Sequence, residues 1–251
     1  MKAIIIAAGR GSRMNALTEQ SPKCMLEVGG KPILHHAIDN LRSAGVTDII
    51  IIRGYLSHLI DVKDVRYIDN PNWSRTNILG SLFVAREEIY DRVLIMYSDI
   101  IFRPDVVADA VADSHRIAPV VDLDWKAAYV GRSHHPTSEA EKVMLTNTGM
   151  IQRIGKLNVE DNHADGEFIG MLRLNPMGSN QFRNALIDAA KRYKKKSFQT
   201  ARNFDAAYLT DLLQNIIENR EPIQPIFIHG GWREIDTIED LTRAGLWLDG
   251  S

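Results

Sequence analysis

"AIIIAAGRGSRM" (residues 3–14) decides the fold. Residues 3–8 form a continuous apolar, largely β-branched run, which reads as a strand buried on both faces of a parallel sheet. The run stops at Gly9 and gives way to a polar loop with two glycines and two arginines. Farther on, Ile33, Leu34, Ala37, Ile38 and Leu41 recur at helical spacing within residues 31–45, and Gly45 suits the C-terminal cap. "TDIIIIRG" (47–54) is a second buried strand, so strand, helix and strand follow one another as a βαβ unit. The alternation continues with a short strand over 65–70, a helix over 77–89 and a fourth buried strand over 92–100, with Asp99 at its end. The expected fold class is therefore α/β, a doubly wound and mostly parallel sheet.

After residue 105 the pattern loosens. Short strands over 118–122, 141–147, 150–155 and 168–174 predict a few added mixed strands. Amphipathic helices follow over 180–196 and 204–219, then a strand, a Gly-Gly turn and a helix over 225–248. One domain over 1–251 is expected, built from the halves 1–105 and 106–251. The formal net charge of −2 gives no basic field for nucleic acid. The single cysteine, Cys24, excludes an intramolecular disulfide and a Cys-rich metal site and points to a reducing, cytoplasmic setting. No apolar run approaches the roughly 18 residues of a membrane span, so a soluble chain without a membrane partner is expected. Leu241, Leu246, Trp247 and Leu248 suit either a homodimer interface or closure of the core.

Three anion-binding readings compete for the opening loop. A dinucleotide fingerprint needs a third glycine where Met14 stands and an acidic residue where Arg53 ends the second strand. A P-loop is absent. What remains is Gly9-x-Gly11, whose backbone N–H groups can converge on an anion, with Arg13 as a bidentate grip and Lys23 as a point charge. The alternative is a tight strand-to-helix turn with two exposed cations. Ligands of such sheets bind at the carboxyl ends of strands, where this loop and Asp99 both lie.

Ala7, Ala8, Gly9, Gly11, Ser12, Arg13, Met14, Pro22, Lys23, Gly30, Pro32 and Ile33 resemble the long, gapped signature of the nucleotidyltransferases that activate sugar phosphates and related small phosphorylated acceptors. The stretches 72–85, 97–102, 124–143, 164–171 and 231–244 are similar to the cytidylyltransferase branch, which includes phosphocholine and phosphonate cytidylyltransferases. The resemblance implies a Rossmann-like nucleotidyltransferase fold, with residues 1–105 holding the nucleotide and 106–251 the acceptor. It implies CTP and a small phosphate- or phosphonate-bearing acceptor as partners. In the implied reaction an acceptor oxygen attacks the α-phosphorus and pyrophosphate leaves. Gly9, Gly11, Ser12 and Arg13 would cradle the leaving phosphates, and Lys23 would neutralise the α-phosphoryl group. Ala7 and Ala8 would read the base, with Asn77, Gly80 and Ser81 opposite and Tyr97 beside them. Asn77 also reads as a helix N-cap.

Two anions approach each other more easily beside a cation, and Mg²⁺ favours carboxylates plus phosphates. Asp99 is one candidate ligand. Asp236 is the second by resemblance, although "IDTIED" also reads as an N-cap signal for the last helix. A choline-type acceptor calls for aromatic faces and a carboxylate, for which Trp125, Tyr129, Trp232, Asp122 and Asp124 are available. An anionic phosphonate calls for cations, for which Arg132, His134, His135 and Lys156 are available. Arg75 suits either the acceptor or the triphosphate. Glu139 and Glu141 form a solvated strand edge or hold an ammonium group or a second metal, and Glu167 lies where the family places an acceptor contact. The adjacent His134 and His135 lack a ligand-spaced partner, so zinc is not expected. Two other functions compete: a sugar-1-phosphate nucleotidyltransferase using UTP or dTTP, and a non-catalytic nucleotide-binding regulator.

Overall fold

A computed structural model describes residues 1–250. Its strands are β1 (Lys2–Ala7), β2 (Glu27–Val28), β3 (Lys31–Pro32), β4 (Asp48–Arg53), β5 (Arg66–Asp69), β6 (Val93–Tyr97), β7 (Ile100–Phe102), β8 (Ile117–Asp122), β9 (Lys142–Leu145), β10 (Ile151–Ile154), β11 (Gly166–Leu174), β12 (Ile226–Ile228) and β13 (Trp232–Glu234). Its α-helices are α1 (Ile33–Ser43), α2 (Ile78–Phe83), α3 (Pro104–Ala112), α4 (Lys126–Tyr129), α5 (Pro176–Arg192), α6 (Leu209–Glu218) and α7 (Ile238–Asp249).

The main sheet runs β10-β9-β11-β6-β1-β4-β5, with β8 paired to β11 and β12 to β8. The β6-β1-β4-β5 core is parallel throughout. Beyond it, β11 runs antiparallel to β6, β8 and β9, which supplies the mixed strands. β1 is buried on both faces, as its unbroken apolar run requires. Ile4 and Ile6 join the core on one side of the sheet, while Ala3, Ile5 and Ala7 join the core on the other.

Several elements end sooner than the sequence pattern suggests. The helix expected over 77–89 is α2 followed by a short 3₁₀ turn at Arg86–Glu88. That turn is held by Lys2, whose Nζ donates to the Glu88 carboxylate at 2.6 Å and to its carbonyl at 3.2 Å. The fourth strand stops at Tyr97, and the chain turns at Ser98–Asp99 before β7. α5 starts at Pro176, whose fixed φ suits the first helical turn, with Asn175 as its N-cap. α6 starts only at Leu209, where the Asp211 carboxylate accepts from the Tyr208 backbone N–H at 2.8 Å. Among the described residues no helix is long and apolar enough to cross a membrane.

Candidate active site

The first cleft opens at the carboxyl end of β1. Its lining includes Ala7, Gly9, Gly11, Lys23, Thr76, Asn77, Ser81, Ser98 and Asp99. Gly11 adopts φ +70°, and a Cβ there would lie 2.7 Å from the Lys23 Cβ and Cδ. Only glycine lets the loop take this turn while the lysine stem lies against it. Lys23 follows the extended Pro22 in a short helical turn and is 8% exposed.

The Lys23 Nζ donates to Asp99 Oδ2 at 2.8 Å and to Asp236 Oδ1 at 2.6 Å. These two aspartates come from segments far apart in sequence. They meet because β13 pairs antiparallel with β7, and the Ile235 N–H then donates to the Asp99 carbonyl at 2.8 Å. Burial alone would lower the Lys23 pKa, but the two carboxylates outweigh it and hold the ammonium above the usual lysine range. Burial would likewise raise the Asp236 carboxyl, yet the hydrogen bond from His135 and the charges of Lys23 and Arg13 hold it well below the usual carboxylate range. Arg13 bridges Asp236 and Glu139, with a distance of 2.9 Å to Glu139. Thr237, not Asp236, caps α7: its hydroxyl accepts from the Asp240 N–H at 3.3 Å, and Asp240 reciprocates on the Thr237 N–H at 2.8 Å. Asp236 is thereby left facing the cations.

Ser81 and Thr76 share the side chain of Asn70, whose Nδ2 donates to them at 3.1 and 2.8 Å. Asn77 sits at the N-cap position of α2 without capping it; its Nδ2 reaches the Ala206 carbonyl at 3.3 Å. Ser12 is exposed on the loop, and Arg75 is exposed in the turn just before Thr76. The Ala8 carbonyl is taken by the Tyr55 N–H at 3.0 Å. Gly80 differs from expectation. A Cβ there would lie 2.9 Å from Thr76 Cβ and 3.0 Å from the Asp205 carbonyl, so its small size serves helix packing rather than a base.

A second cleft lies on the other side of the β6–β7 junction, lined by Tyr97, Glu139, Glu141, Lys156, Glu167, Trp232 and Glu234 among others. Tyr97 therefore lines this cleft and not the first, where it was expected beside Asn77 and Ser81. Its hydroxyl contacts both Glu141 carboxylate oxygens at 3.2 Å. Burial pushes Glu141 up to about 7, against the pull of the nearby Lys156 charge. Glu167 is 3% exposed and accepts from the Tyr129 hydroxyl at 2.7 Å. Burial and the charge of Glu234 push it well above the usual carboxylate range. The Lys156 Nζ sits 3.4 Å from Glu139 and 5.0 Å from the centre of the Tyr208 ring.

Four residues expected at the acceptor serve elsewhere. Trp125 is 1% exposed and packs edge-on against Tyr129 in the interior, so it offers no aromatic face to a ligand. Asp122 is buried and committed to the turn: it accepts from the N–H groups of Asp124 and Gly230 and from the Trp232 indole, at 2.8–2.9 Å. Arg132 forms a bidentate pair with Asp240 at 2.7 and 2.9 Å and ties its loop to α7. His134 is exposed beside Glu239 at the surface.

His135, which the sequence offered to an anionic acceptor and not to a metal, is 1% exposed and lies between Asp236 and Glu234 at 3.3 Å from each. The three form a cluster able to hold a cation. Nothing local in "SHHP" distinguishes the two histidines, because the partners of His135 lie about a hundred residues away, at Glu234 and Asp236.

At the carboxyl end of a parallel strand, the Gly9–Gly11 loop thus lies beside a lysine set between two carboxylates. Residues 3–208 match the MobA-like NTP transferase domain, and the chain belongs to that family. It is a nucleotidyltransferase. It is 31% identical to the CTP:phosphoglutamine cytidylyltransferase of Campylobacter jejuni, over 96% of this chain and 98% of that protein. Over 41% of this chain and 47% of the relative it is 37% identical to the choline-phosphate cytidylyltransferase of Streptococcus pneumoniae. The fold matches that of a CTP:phosphocholine cytidylyltransferase from Streptococcus pneumoniae, with a TM-score of 0.73, 23% identity and 98% of both chains covered.

Proposed function

We propose that the chain transfers CMP from CTP to a small phosphorylated or phosphonate acceptor, with residues 1–105 holding the nucleotide and 106–251 the acceptor. The observation that carries this reading is the Lys23 ammonium set between Asp99 and Asp236 beside the Gly9–Arg13 loop. An acceptor phosphate or phosphonate oxygen forms the new bond to the α-phosphorus, the bond to the β-phosphate oxygen breaks, and pyrophosphate departs. The acceptor is already an anion, so positioning and charge neutralisation matter more than a general base. The loop and Arg13 hold the departing phosphates, and Lys23 offsets charge on the α-phosphoryl oxygens. The choice of CTP is supported by the relatives rather than by any one residue.

The two aspartates also suit Mg²⁺. Asp99 Oδ1 is a buried oxygen without a hydrogen-bond partner, and Asp236 lies within reach of the same ammonium. When bound there, Mg²⁺ would neutralise phosphate charge and let the two anions approach. Pyrophosphate release is the decisive assay, run with CTP and a panel of acceptors, with and without Mg²⁺. Faster turnover of UTP or dTTP with a hexose 1-phosphate would overturn the cytidylyl reading.

A further inference from the structure

We infer that Lys23 and a divalent metal exclude one another at Asp99 and Asp236. Lys23 is the standing counter-ion of the two aspartates and yields them when nucleotide phosphates take its ammonium. The inference rests on the reading above that these aspartates hold Mg²⁺. Both oxygens of Asp236 are already engaged. Oδ1 accepts from the Lys23 ammonium at 2.6 Å. Oδ2 pairs with Arg13, and His135 Nδ1 lies 3.3 Å from it. The same ammonium donates to Asp99 Oδ2 at 2.8 Å. A metal that bridges the two aspartates must therefore take an Asp236 oxygen from one of these partners.

Charge leads to the same result. Mg²⁺ sits about 2.1 Å from its oxygen ligands. On Asp236 Oδ1 it would lie no more than about 5 Å from the Lys23 ammonium, and like charges that close repel strongly where little water screens them. Lys23 has little freedom to turn aside. Its side chain is 8% exposed, and its stem lies so close to Gly11 that a Cβ there would come within 2.7 Å of it. A bare metal would thus leave a buried ammonium unpaired, and a metal-free triphosphate that drew Lys23 away would leave two carboxylates unpaired. Arriving together, the phosphates take Lys23 and Arg13 while the metal takes the aspartates, and every charge keeps a partner. Metal and nucleotide therefore raise each other's affinity by the same factor.

The test titrates Mn²⁺ into the protein without nucleotide and follows the free ion by electron paramagnetic resonance. Lys23→Ala should bind Mn²⁺ at least about tenfold more tightly than the parent. Lys23→Arg keeps the charge and should show no such gain. Unaltered or weaker Mn²⁺ binding by Lys23→Ala would overturn the inference. So would an equal gain in Lys23→Arg, or a gain in Lys23→Ala that survives the further change Asp99→Asn. A measurement on the unmodified protein stands even where a variant does not fold. With ¹⁵N-labelled lysine, a Mg²⁺ titration without nucleotide should shift the Lys23 ammonium resonance in step with metal occupancy. Occupancy with that resonance unmoved would overturn the inference. A gain in Mn²⁺ affinity in Lys23→Ala, with no pyrophosphate release from CTP by the parent, would sink CMP transfer but uphold the exchange. Mg²⁺-dependent pyrophosphate release by the parent, with no gain in the variant, would do the reverse.

Discussion

Between Ala7 and Lys23, one short stretch of chain supplies a strand end, a glycine loop and a buried ammonium, all facing the same cleft. The second cleft collects Tyr97, Glu141, Lys156, Glu167 and Trp232 from separate strands and loops. Its walls are fixed by pairs remote in sequence: Tyr129 with Glu167, Arg132 with Asp240, and Asp122 with Trp232. Local chemistry on one side contrasts with chemistry made by folding on the other. A change in the first cleft should therefore act directly on turnover. A change in the second acts through contact or through support, according to what each side chain holds.

Replacing Lys23 by alanine presses hardest on this contrast. It should lower kcat/KM by about 10²- to 10³-fold, the usual scale for losing a fixed charge stabiliser, with the far-ultraviolet circular dichroism unchanged. Unaltered turnover would remove Lys23 from the chemistry. His135→Gln should be milder, because the side chain touches Asp236 rather than substrate. A fall of about 10- to 100-fold is expected at limiting Mg²⁺, with partial recovery at high Mg²⁺. An equal fall at every Mg²⁺ concentration would leave His135 without a role in holding Asp236.

Glu141→Gln should show its effect in stability. In the folded chain the Glu141 carboxyl keeps its proton up to about pH 7. In the unfolded chain it ionises near pH ~4.3. The folded state therefore binds the extra proton between these values, so its stability falls as pH rises through them, by up to about 3 kcal/mol. The glutamine variant should melt several degrees above the parent at pH 8.5 and level with it at pH 4.5 in a thermal scan. The smallest effect belongs to His134→Ala. The residue is exposed, so the acceptor KM should stay within about twofold and stability within roughly 0.5 kcal/mol.

The contrast also explains what the sequence discloses. The parallel core was legible because β1, β4 and β6 are unbroken apolar runs separated by helical patterns. Lys23 and the glycine loop were legible because their spacing is short. Asp236 was reached only through a family pattern, and its freedom from capping depended on Thr237 taking that task. His135 and Trp125 show the limit. Two adjacent histidines look alike in sequence, yet one is buried against two carboxylates and the other is exposed beside Glu239. A tryptophan suited to a cation looks the same whether its ring faces a cleft or fills a core. Burial decides these cases, and burial depends on contacts far along the chain.

The turn at Ser98–Asp99 has a consequence for how the two clefts can change. Tyr97 and Ile100 border one cleft, and Ser98 and Asp99 border the other. A single thickness of backbone is thus a party wall between two rooms. A residue inserted or deleted there would shift the furnishings of both at once, so this stretch cannot drift to suit a new occupant on one side without disturbing the tenant on the other.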